Sequence, residues 1–134
     1  MANTKRTARA ETKQVPRDQW AAYFDDFTRR YLNQDEQPES ATIEVVSPTL
    51  GDQFNVRAVQ LIGIAYDRKD HLLELQLDDM EHLVFEPKEI WVIEGEDGFI
   101  STLEVLHADG GKEIVYLRKS GLAATRDESP SAPL

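Results

Sequence analysis

The side chains best suited to chemistry gather at two short connections. Asp67, Asp70 and His71 stand in the first, and Asp78, Asp79, Glu81 and His82 in the second. Carboxylate oxygens hold hard cations, and imidazole nitrogens suit transition metals. A divalent-metal-binding protein, or a metal-assisted enzyme working through these carboxylate/histidine turns, is therefore one reading of the chain. Neither cluster has the alternating oxygen ligands, central glycine and distal glutamate of a calcium loop. If residues 66–77 form a hairpin, the clusters lie at opposite ends of its second strand, roughly 20 Å apart. They would not share an ion unless the sheet curls strongly. Aspartate is also common in turns because its side chain bonds nearby backbone. Acidic turns are the simpler expectation, and no metal ligand is assigned.

The third histidine, His107, sits on another segment, and no two of the three have a spacing such as HxxxH. His82 opens a strand beside acidic residues, which makes it a candidate for a pH-sensitive partner contact. Nucleophile and phosphate motifs are missing: there is no GxSxG, GxxxxGK[ST] or GxGxxG. Glu94, Glu96 and Asp97 cluster near Gly95. Glycosidase chemistry needs two carboxylates facing across a cleft, and an acidic turn explains these residues without one. The chain has no cysteine, which excludes thiolate nucleophiles, thiolate metal sites and disulfides. No catalytic residue and no cofactor is expected.

A binding surface remains. Tyr66 and Trp91 lie on strands whose other face already carries aliphatic residues, so an aromatic left outside could anchor a partner. Tyr66, His82 and Trp91 are the candidate partner-binding residues. Acidic side chains around such an anchor would favour a basic partner.

Charge supports that choice. The 134 residues carry a formal net charge of -10, from 15 basic and 25 acidic side chains. Residues 1–17 hold five basic residues against Glu11, a net of +4, while residues 18–119 hold 9 basic and 22 acidic, a net of -13. An acidic body repels phosphate backbones, so no nucleic acid is expected as a partner. No apolar run approaches the roughly 18 residues that span a bilayer, and no membrane association is expected. The basic N-terminus has no hydrophobic stretch behind it and does not read as a secretory signal. A reducing cytoplasm is the expected location.

Three parts position these residues. Residues 1–16 read as a disordered basic tail, 17–119 as one folded domain, and 120–134, rich in Ser, Ala and Pro, as a disordered C-terminal tail. The domain opens with a helix. Trp20, Tyr23, Phe24, Phe27, Tyr31 and Leu32 recur at helical spacing behind Asp18, a candidate N-cap. Such a stripe is expected to plug a sheet or barrel. Short strands follow, with alternation around Ile43–Val45, Phe54–Ala58 and Leu73–Leu77. Pro87 interrupts the run 82–95, and Asp109-Gly110 marks a hairpin. Segments 61–67 and 90–93 are apolar on both faces, so something must shield both. The expected fold is α+β. An N-terminal amphipathic helix packs on a strongly curved antiparallel sheet, or on a small SH3-like or Sm-like β-barrel, of five to six strands.

GIAYDRKDHLLELQL (63–77), HLVFEPKEIWVIEG (82–95) and TLEVLHADG (102–110), preceded by WAAYFDDF (20–27), together form a pattern. It resembles a family of small bacterial proteins classed as a domain of unknown function, over about residues 17–118. The resemblance implies a bacterial, cytoplasmic, single-domain protein and carries no site residues. The function expected is a non-enzymatic interaction or accessory module, binding a protein partner or a second copy of itself. No small-molecule ligand is specified.

Overall fold

The computed structural model describes residues 10–32, 39–49, 51–78 and 80–119. Strand β1 (Ala10–Val15) comes first, then a 3₁₀ turn (Arg17–Gln19), helix α1 (Trp20–Phe27) and a π-helical turn (Thr28–Leu32). Seven strands follow: β2 (Glu39–Ser47), β3 (Gly51–Asp67), β4 (Leu72–Leu77), β5 (Met80–Phe85), β6 (Glu89–Gly95), β7 (Ile100–Leu106) and β8 (Lys112–Lys119). They form one antiparallel sheet in the order β1-β6-β7-β8-β2-β3-β4-β5.

The α+β class stands, but the strand count and the start of the domain differ from expectation. The sheet has eight strands rather than five or six, and it is not a closed barrel: β1 and β5 are its two ends. Residues 10–15, expected in the N-terminal tail, pair in register with β6 from Ala10↔Gly95 to Val15↔Ile90. The helix is therefore preceded by a strand. Among residues 11–15 only Val15 reaches the core, so this stretch carries no alternating hydrophobic signal and is held by its ladder. Pro87 cannot donate to a ladder, and the run around it divides into β5 and β6. The rest of the two expected tails, residues 1–9 and 120–134, lies outside the described residues, as does the segment 33–38 expected to end the helix.

The sheet curls back on itself. A straight 17-residue strand would run about 56 Å, twice the width of a domain this size. β3 instead bends at a bulge. The register with β2 shifts between Ala41↔Val59 and Ile43↔Val56, and Ala58 takes φ +49°. The Thr42 hydroxyl accepts the Ala58 N–H at 2.9 Å, so the bulge leaves that donor satisfied. Leu61, Ile64, Leu73, Leu75 and Val84 on one side of the curl thus share one core with Ile90, Val92, Leu103, Val105 and Val115 on the other.

Helix α1 plugs this core. Trp20, Phe24 and Phe27 are buried, and Tyr23, Tyr31 and Leu32 pack beside them, as the stripe implied. Asp18 does not cap it; Gln19 holds the N-cap position and makes no side-chain capping bond. The Trp20 indole N–H donates instead to the Val15 carbonyl at 2.8 Å, tying the helix start to β1. At the other end Thr28 meets β3 beyond the part that β2 covers. Its Oγ1 donates to the Ile64 carbonyl and accepts the Ile64 N–H, both at 2.9 Å. One hydroxyl thereby satisfies two backbone groups of an otherwise open sheet edge.

Candidate functional site

Inside the curl lies a polar bridge. Glu113 on β8 shares the inward face with Val115 and Leu117 and is 7% exposed. His107 follows β7 two residues after inward-facing Val105, whose partner across the ladder is Glu113. His82 projects inward from β5 with Val84. The two Nε2 atoms lie 2.5 Å (His82) and 3.0 Å (His107) from separate oxygens of Glu113. A carboxylate only accepts, so each imidazole donates. In a flat sheet β5 and β8, four steps apart, would be about 19 Å from each other. The bridge is therefore a clamp across the curl. Both carboxylate oxygens have partners.

The acidic turns are turn-makers. Asp67 Oδ1 accepts the backbone N–H of Lys69 at 2.9 Å and of Asp70 at 3.2 Å. Asp97 does the same for Phe99, and Asp109 for Gly111. The Asp67–His71 turn and the Asp78–His82 connection sit at opposite ends of β4, as the hairpin argument required. Asp79 lies outside the described residues. Among the described residues no group of three or more His, Asp or Glu side chains is arranged to hold a metal ion. The reading through carboxylate/histidine turns therefore has no ligand group behind it among the described residues.

The three candidate partner-binding residues go to different places. Tyr66 is half-buried and packs edge-on against Trp20, with ring centroids 5.0 Å apart. The His82 side chain is 11% exposed and engaged by Glu113. Trp91 alternates with buried Ile90 and Val92, so it faces outward, half-exposed. Its indole N–H donates to Glu89 at 3.0 Å. Register places Trp91 beside Glu104, and Glu104 beside Ile114. The next row runs Ile93, Thr102, Tyr116. Tyr116 is 41% exposed, and its hydroxyl donates to Glu44 at 2.9 Å. The outer face of β6, β7 and β8 thus mixes apolar side chains with Thr102, Glu89 and Glu104, the last paired with Lys112 at 2.8 Å.

Sequence reasoning missed the bridge and also a cleft. Positions 107 and 113 flank the Asp109-Gly110 hairpin, but no local spacing connects them to His82. The cleft gathers Arg17, His71, Pro87 and Lys88. Its only local signal was basic residues in turns of an acidic chain.

These features define a small α+β domain: a curled, open antiparallel sheet plugged by one short helix, with a clamped interior and a partly apolar outer face. No described helix is long and apolar enough to cross a membrane. Residues 11–125 match the model of a family of unknown function (DUF5335), and the chain belongs to that family. The match extends beyond the 17–118 over which the resemblance was drawn, and takes in β1. An uncharacterized protein of the bacterium Aquifex aeolicus (strain VF5) is 38% identical over 108 residues, which cover 80% of this chain and 92% of that protein. No solved structure matches the chain.

Proposed function

We propose that the protein is a non-enzymatic binding module that docks a protein partner on the outer face of β6–β8, with Trp91 as anchor. The observation that carries this is the outward row of Trp91, Ile93, Ile114 and Tyr116 on a face that no described helix covers. A solvated antiparallel face is normally polar. Tyr66 is engaged with Trp20, and His82 with Glu113, which leaves Trp91 as the anchor of the three. Glu89 beside it, on a body of net charge -10, favours a partner with basic side chains around an apolar centre. The same charge opposes self-association, so a second copy is the less favoured occupant. The absence of cysteine suits a reducing cytoplasm, where we place this accessory role.

A photo-crosslinking amino acid in place of Ile93 should trap a partner in cells. The purified partner should then lose about thirtyfold in affinity for Trp91→Ala, the size of a hot-spot loss. A crosslinked product that binds Trp91→Ala as well as the parent would sink the proposal. So would a pure monomer with no crosslinked product.

A further inference from the structure

In a chain so rich in acid, unpaired cations stand out. Among the described residues Lys13, Arg29, Arg30 and Lys112 each lie within 4.0 Å of a carboxylate. Arg17, Arg68, Lys69 and Lys88 have no such ion pair. All but Lys69, which stays on the solvent side of the β3–β4 turn, line adjoining clefts at one end of the curl. The first, ≈ 390 Å³, is bounded by Arg17, His71, Glu86, Pro87 and Lys88. The second, ≈ 300 Å³, shares Arg17 and His71 and adds Asp18, Tyr66 and Arg68. Residues far apart in the chain converge here: the 3₁₀ turn, the β3–β4 turn and the β5–β6 connection.

The walls are held in place. The Arg17 guanidinium lies 4.7 Å from the Trp20 ring centroid and donates one N–H to the Pro87 carbonyl at 3.3 Å. A guanidinium has five N–H donors, so most of its capacity remains. His71 and Glu86 both adopt left-handed backbone, φ +52° and +49°, unusual for residues other than glycine. The Glu86 N–H donates to the His71 carbonyl at 2.8 Å, which locks the two strained residues together. Strain at a cleft wall is typical of a preorganised binding site.

We propose that these clefts bind a small organic oxyanion: a molecule with a carboxylate or phosphate head for Arg17, Arg68 and Lys88, and a flat apolar body against Tyr66 and Pro87. Charge-assisted hydrogen bonds to planar guanidinium groups hold such heads well. The volume is within the range of small-ligand sites. Asp18 and Glu86 on the rim, and the net charge of -10 behind them, repel ligands in proportion to their own charge. This excludes nucleic acid and anionic membranes and favours a singly or doubly charged molecule. The site is separate from the Trp91 face and does not rest on it.

Phenyl phosphate and benzoate are the probes, titrated against the full chain by heteronuclear NMR with chloride at matched ionic strength. One or both should shift the Arg68, His71 and Lys88 amides saturably, with half-saturation below ~10 mM. The stronger probe identifies the head group. Arg68→Ala and Lys88→Ala remove exposed side chains without an ion pair, so both variants should fold, and each should weaken binding about tenfold. Shifts that chloride reproduces would overturn the proposal. So would no saturation with either probe, or equal affinity in both variants.

Discussion

The clamp inside the curl and the cleft at its end treat ionisable groups in opposite ways. At the clamp each oxygen of Glu113 has an imidazole donor, and the carboxylate is sealed from solvent. At the cleft Arg68 and Lys88 are exposed, and among the described residues neither has a carboxylate within 4.0 Å. Burying an unsatisfied charge is expensive, so the interior tolerates charge only where it is fully paired. The exterior has no such constraint, because water satisfies the cations until a ligand replaces it. The difference separates polar groups that hold the fold from polar groups free to bind.

The sharpest way to break this contrast is Glu113→Ala. It strands the nearly buried His82 imidazole and the partly exposed His107, and releases β5 from β8. We expect a loss of about 3 kcal/mol in urea unfolding. A change under about 0.5 kcal/mol would mean that the clamp carries no load. Thr28→Val keeps the shape of the side chain but removes both bonds to Ile64, and should lose about 2 kcal/mol in the same assay. A smaller loss would mean that water reaches that edge of β3.

Tyr23 tests the inner face by pH. Its hydroxyl donates to Glu94, whose other oxygen lies 3.2 Å from Lys13. Burial first, then the bond to Glu94 and repulsion from Glu94 and Tyr31, push the hydroxyl well above the phenol's usual value of 10.0. The unfolded chain therefore loses this proton at lower pH than the folded one. The contribution is complete below about pH 10 and declines as pH rises further. Tyr23→Phe should flatten that alkaline decline in denaturation midpoints measured from pH 8 to 11. An unchanged slope would assign the decline to other groups. The smallest effect is expected outside: Arg68→Ala and Lys88→Ala should each leave stability within about 0.5 kcal/mol of the parent. A larger loss would make these cations structural and bring cleft and clamp together.

Much of the secondary structure was legible because it is written in local periods. The aromatic stripe from Trp20 to Leu32 marked the helix, and alternation at Leu73, Leu75 and Leu77 marked β4. Pro87 marked the break between β5 and β6, and Asp109-Gly110 the last hairpin. Strand β1 was not legible: Val15 alone is buried among residues 11–15, which leaves no period, and its pairing with β6 lies 75 residues or more along the chain. Trp91 was found because its neighbours Ile90 and Val92 are aliphatic, so alternation alone placed it on the opposite face.

By itself, then, the order of residues determined most local elements, the acidic charge, the absence of thiol chemistry and the placing of Trp91 on the face opposite Ile90 and Val92. Each depends only on residue type and on neighbours a few positions away. Tertiary structure alone decided that His82 meets His107 and Glu113, and that Arg17, Arg68 and Lys88 line adjoining clefts. Those meetings depend on a bulge at Ala58 and a curl that folds strands four places apart onto one another. A repeat of two residues reports which face a side chain takes, and it holds no information about which distant strand that face will meet.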